Sequence, residues 1–351
     1  MKYDQVLELN GVKLTSKYIE SLNKQERLDL IDPIFDIVRK VGWLYPDEEN
    51  KIKKSWGKVK EYQPDLNADD QFNNSSLGTD ICKFYCHSFF DATEPGAPTM
   101  KDNFNDDKIL KKMIWNRLGL AWLDADSKGE GVNEAFNLSF KMIAIQAQRS
   151  MRLINQTSIF KPSIAKFMAL KYSMPGDVIG DYSCGFGARL MGAVSCGRQY
   201  IGTDPMTCPE LEIMAAKLGM TGYKLIQSGS EDYRGDENSI DLYYSSPPYM
   251  MDSDIIKESY TNDVSQAYNK GKEYFYNTYW DRTLDNVKYM LKPGKWFGLN
   301  LTEDCSEMIR MANDKFGKPI EIVKLKTIRS HLSKTAGTEK FEPVFMYKNI
   351  K

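Results

Sequence analysis

The residues best suited to chemistry form a short turn in the second half of the chain. The segment Ser246-Pro247-Pro248-Tyr249 follows an apolar, strand-like run that begins at Asp241. Proline has no N–H group and a restricted φ, so two consecutive prolines end a central strand in a rigid, extended turn. In open α/β sheets, ligands bind at the carboxyl ends of the strands. We therefore expect a hydroxyl, a carbonyl and an aromatic ring to be held rigidly at such an edge.

This set of groups suits a reaction at the exocyclic amine of a nucleobase. Such an amine is a poor nucleophile because its lone pair is delocalised into the ring. The Ser246 hydroxyl oxygen and the Pro247 carbonyl could accept its N–H groups and localise that lone pair, while Pro248 stiffens the turn. Tyr249 could stack on a base rotated out of a duplex. Accurate placement of the reacting groups would supply much of the acceleration. A proline-stiffened surface loop is the alternative, and a position at a strand end disfavours it.

A second candidate site lies upstream, where a short strand leads into a glycine-rich turn. Its glycines allow the backbone to approach a ligand closely before a helix begins at Ala188. Asp204 lies at the end of the next predicted strand, where a carboxylate can accept hydrogen bonds from ribose hydroxyls. The dinucleotide-binding and phosphate-loop spacings are both absent, and Asp181 would repel phosphates. A cationic, phosphate-free ligand such as S-adenosylmethionine suits this turn better. The candidate residues of the turn are Asp181, Tyr182, Ser183, Cys184, Gly185 and Gly187.

The elements that must position these residues alternate between strands and helices. Strands with intervening helices predict a mostly parallel sheet covered on both faces. The last two strands have no helix between them and should form an antiparallel hairpin. A long amphipathic helix is expected over 273–291, stopped by Lys292-Pro293-Gly294. The seven predicted strands lie near 178–179, 200–204, 223–226, 240–244, 296–301, 320–328 and 342–347.

The N-terminal part has a different pattern. Residues 1–155 are mainly helical in their apolar spacing, which predicts a separate domain from the α/β domain at 156–351. The basic segment 51–60 contains Trp56 and could bind phosphates and stack on a base. Because charge runs are usually surface, a solvated helix face with Trp56 packed beneath it is favoured. The polar segment 63–79 predicts a loop.

Composition narrows the class of protein. With 42% hydrophobic residues and a net charge of -1, the chain is an ordinary globular one, and its overall charge does not favour nucleic-acid binding, although a local basic cleft remains compatible. Scattered cysteines, with no signal peptide or membrane span, predict reduced thiols in the cytoplasm and no membrane association. Cys82, Cys86 and His87 lack the further ligand that a structural zinc site needs, so no metal site is predicted.

In this order, the motifs resemble those of the DNA amino-methyltransferases of the N4-cytosine/N6-adenine type. Residues 160–163 (Phe-Lys-Pro-Ser) resemble the methionine-pocket segment of that family. Residues 181–187 resemble its Asp-Pro-Phe-Cys-Gly-Ser-Gly, and residues 246–249 its Asp/Asn/Ser-Pro-Pro-Tyr/Phe. Residues 291–294 and 341–344 are similar to later landmarks in its sheet. The resemblance covers about the C-terminal half, and several ordered motifs are more specific than any single one.

The resemblance implies a Rossmann-like methyltransferase fold with S-adenosylmethionine as methyl donor and DNA as partner. Tyr249 occupies the position where cytosine-C5 relatives carry their catalytic cysteine, which favours amine over carbon chemistry. Ser246 in place of Asp favours N4 of cytosine over N6 of adenine. Too few residues separate Gly185 from Ser246 to hold a recognition domain, which leaves 1–155 as the expected target-recognition part. The further donor-binding residues implied are Phe160, Lys161, Pro162 and Glu231.

Three alternatives stay open from the sequence. The chain could methylate N6 of adenine in DNA, or it could methylate a base in RNA, since similar Pro-Pro-Tyr turns act on RNA amines. It could also be a non-catalytic binding subunit that keeps the fold. Tyr182 and Phe186 replace a proline and a serine of the family motif. These bulky residues would support the non-catalytic alternative if they blocked the donor pocket.

Overall fold

The structure is a computed structural model that describes residues 1–67, 70–72, 76–93, 98–120, 137–150, 159–253, 266–328 and 339–350. The chain divides into two compact units. The first comprises Met1–Glu48 and Phe90–Thr157, and the second comprises Glu49–Phe89 and Ser158–Lys351. This grouping differs from the predicted division at residue 155 in one respect, because Glu49–Phe89 belongs with the second unit. Its membership depends on contacts distant in sequence, which a local pattern does not show.

The helices are short and distributed over both units. The π-helical segment Phe275–Trp280 joins the helices that precede and follow it, Lys272–Tyr274 and Asp281–Met290. In chain order the helices are α1 (Ser16–Ser21), α2 (Lys24–Asp29), α3 (Ile31–Val41), α4 (Glu49–Glu61), α5 (Thr79–Tyr85), α6 (Met100–Asn105), α7 (Asp107–Arg117), α8 (Phe140–Ser150), α9 (Pro162–Tyr172), α10 (Ala188–Val194), α11 (Cys208–Lys217), α12 (Lys272–Tyr274), α13 (Asp281–Met290) and α14 (Ser306–Phe316).

The strands form one small hairpin and one large sheet. The hairpin is β1 (Glu8–Leu9) with β2 (Val12–Lys13). The strands of the large sheet are β3 (Asp70–Phe72), β4 (Val178–Asp181), β5 (Gln199–Thr203), β6 (Tyr223–Ile226), β7 (Ile240–Ser245), β8 (Leu291–Asn300), β9 (Glu321–Ile328) and β10 (Glu339–Lys348).

The first unit is built on an aromatic core. Trp43 packs edge-on against Phe90, Phe104 and Phe140, with ring centroids 5.7, 5.3 and 5.6 Å away. Edge-to-face contacts of this kind add to the burial of large apolar surfaces. Within this unit α7 and α8 pack together, and α3 packs on α7.

The large sheet has the order β3-β9-β10-β8-β7-β4-β5-β6. Strand β10 is antiparallel to both of its neighbours, and the other pairs are parallel. This arrangement is the Rossmann-like methyltransferase fold, which confirms the predicted mostly parallel sheet and its antiparallel hairpin. The eighth strand, β3, corrects the prediction of a loop over 63–79. Its short polar sequence has little strand character of its own, and pairing with the edge of β9 makes it a strand.

Strand β7 runs through the centre of the sheet and delivers the predicted turn. All six of its residues are buried, as expected for a strand covered on both faces. It ends at Ser245, before the two prolines. The helix stop predicted at Lys292-Pro293-Gly294 is wrong in detail, because α13 ends at Met290 and these residues already belong to β8.

Neighbouring residues of β5 show which helices cover the two faces. Side chains alternate between the faces of a strand, so Tyr200 and Ile201 point in opposite directions. Tyr200 shares a partner with Arg189 of α10, whereas Ile201 lines a cleft with Val287 of α13. The sheet is therefore covered on both faces next to its central strands.

Within the described ranges, none of the helices combines the length and apolar character needed to cross a bilayer.

The six cysteines are all free, and Cys196 is the one that is partly rather than fully buried. Burial raises the pKa of Cys82 to about 12. Because the thiolate is the metal-binding form, this environment favours a packing role for Cys82. No cluster of three potential metal ligands occurs among the described residues.

Candidate active site

Asp181 ends β4 and is buried at the centre of a hydrogen-bond network. Its Oδ2 accepts hydrogen bonds from Arg189 Nε at 2.7 Å and from the Tyr200 hydroxyl at 2.6 Å. Its Oδ1 accepts hydrogen bonds from Ser245 Oγ at 2.7 Å and from the Ser183 N–H at 3.1 Å. Arg189 also donates to the Ser183 carbonyl. The carboxylate therefore joins the glycine-rich turn, β5 and β7 at one point.

Arg189 gives this network its charge balance. Burial disfavours the guanidinium cation, but the nearby Asp181 carboxylate outweighs burial and raises the pKa of Arg189 above its ordinary value. Because both oxygens of Asp181 are engaged within the protein, a contact with a bound ligand would come in addition to four existing hydrogen bonds. Its predicted role toward a cationic ligand stays a prediction.

The sequence reasoning missed Arg189, although a signal was present. Arg189 is the second residue of α10, and a helix dipole disfavours a cation in the first turn. A cation at that position indicates a nearby counter-charge. Asp181 supplies it within the same turn of chain.

Asp204 follows β5 and is only partly buried by its neighbours. Its Oδ1 accepts hydrogen bonds from the N–H groups of Met206 and Thr207, both at 2.9 Å, and its Oδ2 accepts one from the Gly185 N–H at 3.1 Å. Burial raises the pKa of Asp204, and these N–H groups offset part of that rise. No cation forms an ion pair with Asp204 in the described part of the chain. The carboxylate therefore keeps acceptor capacity for a ligand.

The two glycines of the turn lack a side chain for different physical reasons. Both lie in the left-handed region, with φ of 51° at Gly185 and 79° at Gly187. A Cβ on Gly187 would lie 2.5 Å from Met214 Cε, so this glycine allows close packing of the turn on α11. Among the described residues, a Cβ on Gly185 would meet nothing closer than the Ser183 carbonyl at 3.9 Å. Gly185 therefore borders open space, as a ligand-binding turn requires.

The two bulky residues of this turn, Tyr182 and Phe186, pack against different groups of aromatic residues. The Tyr182 ring packs with Tyr243, Trp280 and Phe297, at centroid distances of 6.4, 5.9 and 6.2 Å, and is part of the core. Phe186 packs edge-on against Phe89 at 5.4 Å. Both rings therefore serve packing contacts, which weakens their use as evidence for a blocked pocket.

Cys184 also packs within the turn. It is buried, and its N–H donates to the Thr203 carbonyl at 3.0 Å. A Cβ on Gly202 would lie 2.3 Å from its Sγ, so Gly202 leaves the space that the Cys184 side chain fills. Cys184 thereby fixes the turn against the end of β5.

The structure brings Ser246 and Tyr249 together in the proline turn. The Ser246 Oγ and the Tyr249 hydroxyl are 3.0 Å apart and form a hydrogen bond. Pro247 is buried and Pro248 is half-buried, and the described residues contain no cis peptide bond. The Tyr249 ring is 5% exposed in this conformation, so stacking on a base stays a prediction.

Three further predicted donor residues, Phe160, Lys161 and Pro162, lie together where α9 begins. The Phe160 ring lies 5.9 Å from the Tyr244 ring, and the Arg189 guanidinium lies 5.3 Å from the Phe160 centroid. Lys161 precedes α9, and burial lowers the pKa of its ammonium group. Pro162 is the first residue of α9, where a missing N–H is tolerated. This segment therefore lies beside the Asp181 network.

The loop after β6 is held by the long helical region from α12 to α13. Glu231 is buried, and its Oε1 accepts a hydrogen bond from the Tyr274 hydroxyl at 3.0 Å. Asn286 Nδ2 donates to the carbonyls of Ser230 and Glu231 at 3.0 and 3.2 Å. The hydroxyls of Ser230 and Thr283 are 2.8 Å apart. These contacts fix the position of the predicted donor residue Glu231.

A narrow cleft lies between the ends of these strands and α13. Two buried hydroxyl groups on its lining, those of Tyr182 and Thr203, have no hydrogen-bond partner among the described residues. Buried polar groups normally find a partner in the protein, in water or in a ligand. The cleft is lined by Asp181, Tyr182, Ile201, Thr203, Ser230, Tyr233, Tyr243, Thr283, Asn286, Val287 and Met290.

The predicted basic segment forms most of helix α4 in the second unit. Its apolar residues Ile52, Trp56 and Val59 are buried, and its lysines are exposed. Lys166 of α9 is buried and donates to the carbonyls of Val59 and Lys60 at 3.0 and 2.7 Å, where a cation is favourable at a helix C-terminus. Trp56 therefore packs beneath a solvated face, as the favoured interpretation had it.

Comparisons with known proteins give only distant likenesses. No protein-family model and no curated protein sequence matches the chain. Among solved structures, a tRNA (m1A58) methyltransferase from Aquifex aeolicus is 11% identical with a TM-score of 0.39, covering 64% of this chain and 81% of its own. An S-adenosylmethionine-dependent O-methyltransferase from Thermotoga maritima is 15% identical with a TM-score of 0.37, covering 55% and 67%. An rRNA methylase from Streptococcus thermophilus is 13% identical with a TM-score of 0.34, covering 55% and 99%. Likenesses this distant carry no argument about substrate.

Proposed function

We propose that this protein is an S-adenosylmethionine-dependent methyltransferase that acts on the exocyclic amine of a nucleobase. The observation that carries the proposal is the 2.7 Å hydrogen bond between Ser245 Oγ and Asp181 Oδ1. Ser245 immediately precedes the proline turn, and Asp181 begins the glycine-rich turn. This bond holds the two motifs at the same edge of the sheet, as methyl transfer between their ligands requires.

The residues present fit such a donor. Gly185 borders open space, and Asp204 keeps acceptor capacity beside it. Asp204 would hold the ribose hydroxyls, the 160–162 segment would hold the methionine part, and Glu231 would lie by the adenine. When bound, S-adenosylmethionine supplies an electrophilic methyl group on a sulfonium.

The proline turn would hold and orient the amine. The Ser246 oxygen has two acceptor positions, so it can accept a hydrogen bond from Tyr249 and another from the amine. The Pro247 carbonyl would accept a second N–H of the amine. Both acceptors stand on a turn that two prolines stiffen, so little reorganisation is needed as the amine reacts.

For the substrate, we propose DNA with N4 of cytosine as the methylated atom. The resemblance of residues 246–249 to the amino-methyltransferase motif supports this choice, with Ser in place of Asp at position 246. We propose that residues 1–155 contribute target recognition and that the protein works in the cytoplasm. Methylation of N6 of adenine or of an RNA base are outcomes that the following experiment separates.

The test is transfer of a labelled methyl group to DNA and to RNA, with the product nucleoside identified by mass spectrometry. Labelled N4-methyl-2′-deoxycytidine from DNA is the expected product. Ser246→Ala should abolish transfer while donor binding by calorimetry survives. Ser239→Ala is the matched control, since Ser239 precedes the other end of β7 and bonds to the Asp236 carbonyl.

Each outcome decides between the alternatives. Labelled RNA with unlabelled DNA would refute the DNA substrate, and labelled N6-methyladenine would refute the choice of base. Donor binding without transfer to either nucleic acid would indicate a non-catalytic binding subunit. Loss of donor binding in Ser246→Ala would contradict the role given to this residue.

A further inference from the structure

The helical region after the proline turn changes its winding next to the candidate donor site. Between α12 and α13, the segment Phe275–Trp280 is a π-helix. A π-helix has i→i+5 hydrogen bonds, so each turn holds more residues than an α-helical turn. Single π-helical turns within α-helices occur frequently at functional sites. The segment packs on the donor side of the core, with Trp280 5.9 Å from Tyr182.

The wider turn affects which side chains share a face. Positions five residues apart point about 140° away from each other on an α-helix, and i→i+5 bonding brings them closer to alignment. Tyr274 and Tyr279 are such a pair: Tyr274 immediately precedes the π-helical segment, and Tyr279 lies within it. Tyr274 hydrogen bonds to Glu231, and Thr283, further along, hydrogen bonds to Ser230. Tyr279 lies between these two residues in sequence.

The Tyr279 hydroxyl is buried beside two serine side chains. Tyr279 is 4% exposed, and its hydroxyl forms no hydrogen bond of normal length and angle with any residue that the structure describes. Burial raises the pKa of this hydroxyl. Weak hydrogen bonding with the Ser183 and Ser230 side chains offsets part of the rise, and the charges of Glu231 and Asp204 add to it. The group therefore lies near both the glycine-rich turn and the loop after β6.

We propose that Tyr279 is a further donor-binding residue, whose hydroxyl hydrogen bonds to the adenosine half of S-adenosylmethionine. This inference rests on the proposed function. The neighbours of the hydroxyl are the residues assigned to ribose and adenine, Asp204 and Glu231, rather than the methionine segment at 160–162. Two further unpartnered hydroxyls, on Tyr182 and Thr203, line the adjoining cleft and show that this edge has unmet hydrogen-bonding capacity.

A packing role alone would not require the hydroxyl. The Tyr279 ring packs against Phe275 at 5.0 Å and Trp280 at 6.3 Å, and phenylalanine would keep both contacts. A buried hydroxyl without a partner is unfavourable, so its presence indicates a ligand or a water bound there. Tyr279→Phe therefore tests the hydroxyl without creating a cavity.

The experiment measures binding of S-adenosylmethionine and of 5′-methylthioadenosine, which lacks the amino-acid part, by calorimetry. Tyr279→Phe should raise Kd for both ligands by roughly 3- to 10-fold, as expected for loss of one neutral hydrogen bond. Tyr172→Phe is the matched control. The Tyr172 hydroxyl likewise forms no hydrogen bond of normal length and angle in the described part of the chain. It interacts with Glu321 and lies at the end of α9 beside Trp296. This control should leave both Kd values unchanged.

The outcomes separate this inference from the proposed function. If the wild type binds no donor, both proposals fail. If the wild type binds it and Tyr279→Phe binds equally well, or if both variants lose affinity equally, only the role of Tyr279 is refuted. Weakened binding of S-adenosylmethionine with unchanged binding of 5′-methylthioadenosine would refute the assignment to the adenosine half.

Discussion

The carboxyl ends of β4 and β5 are neighbours in the sheet, and each presents an aspartate beside the same glycine-rich turn. Asp181 is buried and accepts four hydrogen bonds, one of them from the buried cation Arg189. Asp204 is partly exposed and accepts hydrogen bonds from three backbone N–H groups. One carboxylate is paired with a buried cation and fully surrounded, whereas the other has no cation beside it among the described residues and keeps acceptor capacity next to the glycine-rich turn.

This difference shows how similar motif positions acquire different roles. A carboxylate at a strand end can bind a ligand only with acceptor positions that the protein itself leaves unused. Asp181 holds three segments of chain together, and we expect its loss to affect stability first. Asp204 shapes the turn mainly through backbone N–H groups, and we expect its loss to affect donor binding first.

The largest effect is expected for Asp181→Asn. It should lower the free energy of unfolding by about 3–5 kcal/mol, because it leaves the Arg189 guanidinium buried without a counter-charge. Urea denaturation near neutral pH measures this change. Asp204→Asn, as the control, should lower the free energy of unfolding by less than about 1 kcal/mol. Equal losses in the two variants would remove the distinction between the carboxylates.

Asp204→Asn should instead weaken donor binding by about 10- to 100-fold, the range for losing a hydrogen bond to a charged acceptor. Asparagine keeps an acceptor oxygen for the Met206 and Thr207 N–H groups, so the turn should stay in place. Calorimetric titration with S-adenosylmethionine checks this. An unchanged Kd would show that Asp204 has only a structural role.

Ser245→Ala should have a smaller effect on stability, about 1.5 kcal/mol, at the low end for a hydrogen bond to a charge. The Ser183 N–H would still bond to the same Asp181 oxygen. In the double variant with Asp181→Asn, the loss in free energy of unfolding should be smaller than the sum of the two single-variant losses, because both residues act in one network. Full additivity in urea denaturation would show that Ser245 acts independently of Asp181.

The smallest effect is a dependence on pH. Burial raises the pKa of Asp204 above its ordinary value of 3.8, so the folded protein takes up this proton at a higher pH than the unfolded chain does. As the pH falls through the folded pKa, protonation of Asp204 therefore adds to stability, and donor affinity should decrease. Donor titrations over the acidic range measure the decrease. Asp204→Asn should remove it, and a decrease that persists in this variant would assign the effect to another group.

The fold was largely predictable, and the site only in outline. All seven predicted strands occur, within a few residues of their predicted bounds. The alternation of apolar runs with helical spacing is local and reports the sheet directly. The structure also places the residues of the two turns, 181–187 and 246–249, at one edge of the sheet. The exceptions are β3 and the start of β8, both decided by pairing with distant strands.

The site residues that the sequence did not predict were missed for a common physical reason. Arg189 and Ser245 become important because distant segments meet at Asp181. Tyr279 becomes a candidate because the π-helical turn changes the face on which it lies, and no spacing rule based on the α-helix predicts that. Each of these features depends on packing between elements.

The sequence by itself determined the alternating α/β pattern, the strand end at Pro247 and the left-handed turn around Gly185, because these depend on backbone restrictions of single residues. Only the tertiary structure decided which aspartate is neutralised and which stays available. A carboxylate's role depends on the charge and donors that surround it, and for Asp181 two of those donors, Tyr200 and Ser245, come from strands that lie beside β4 only after folding.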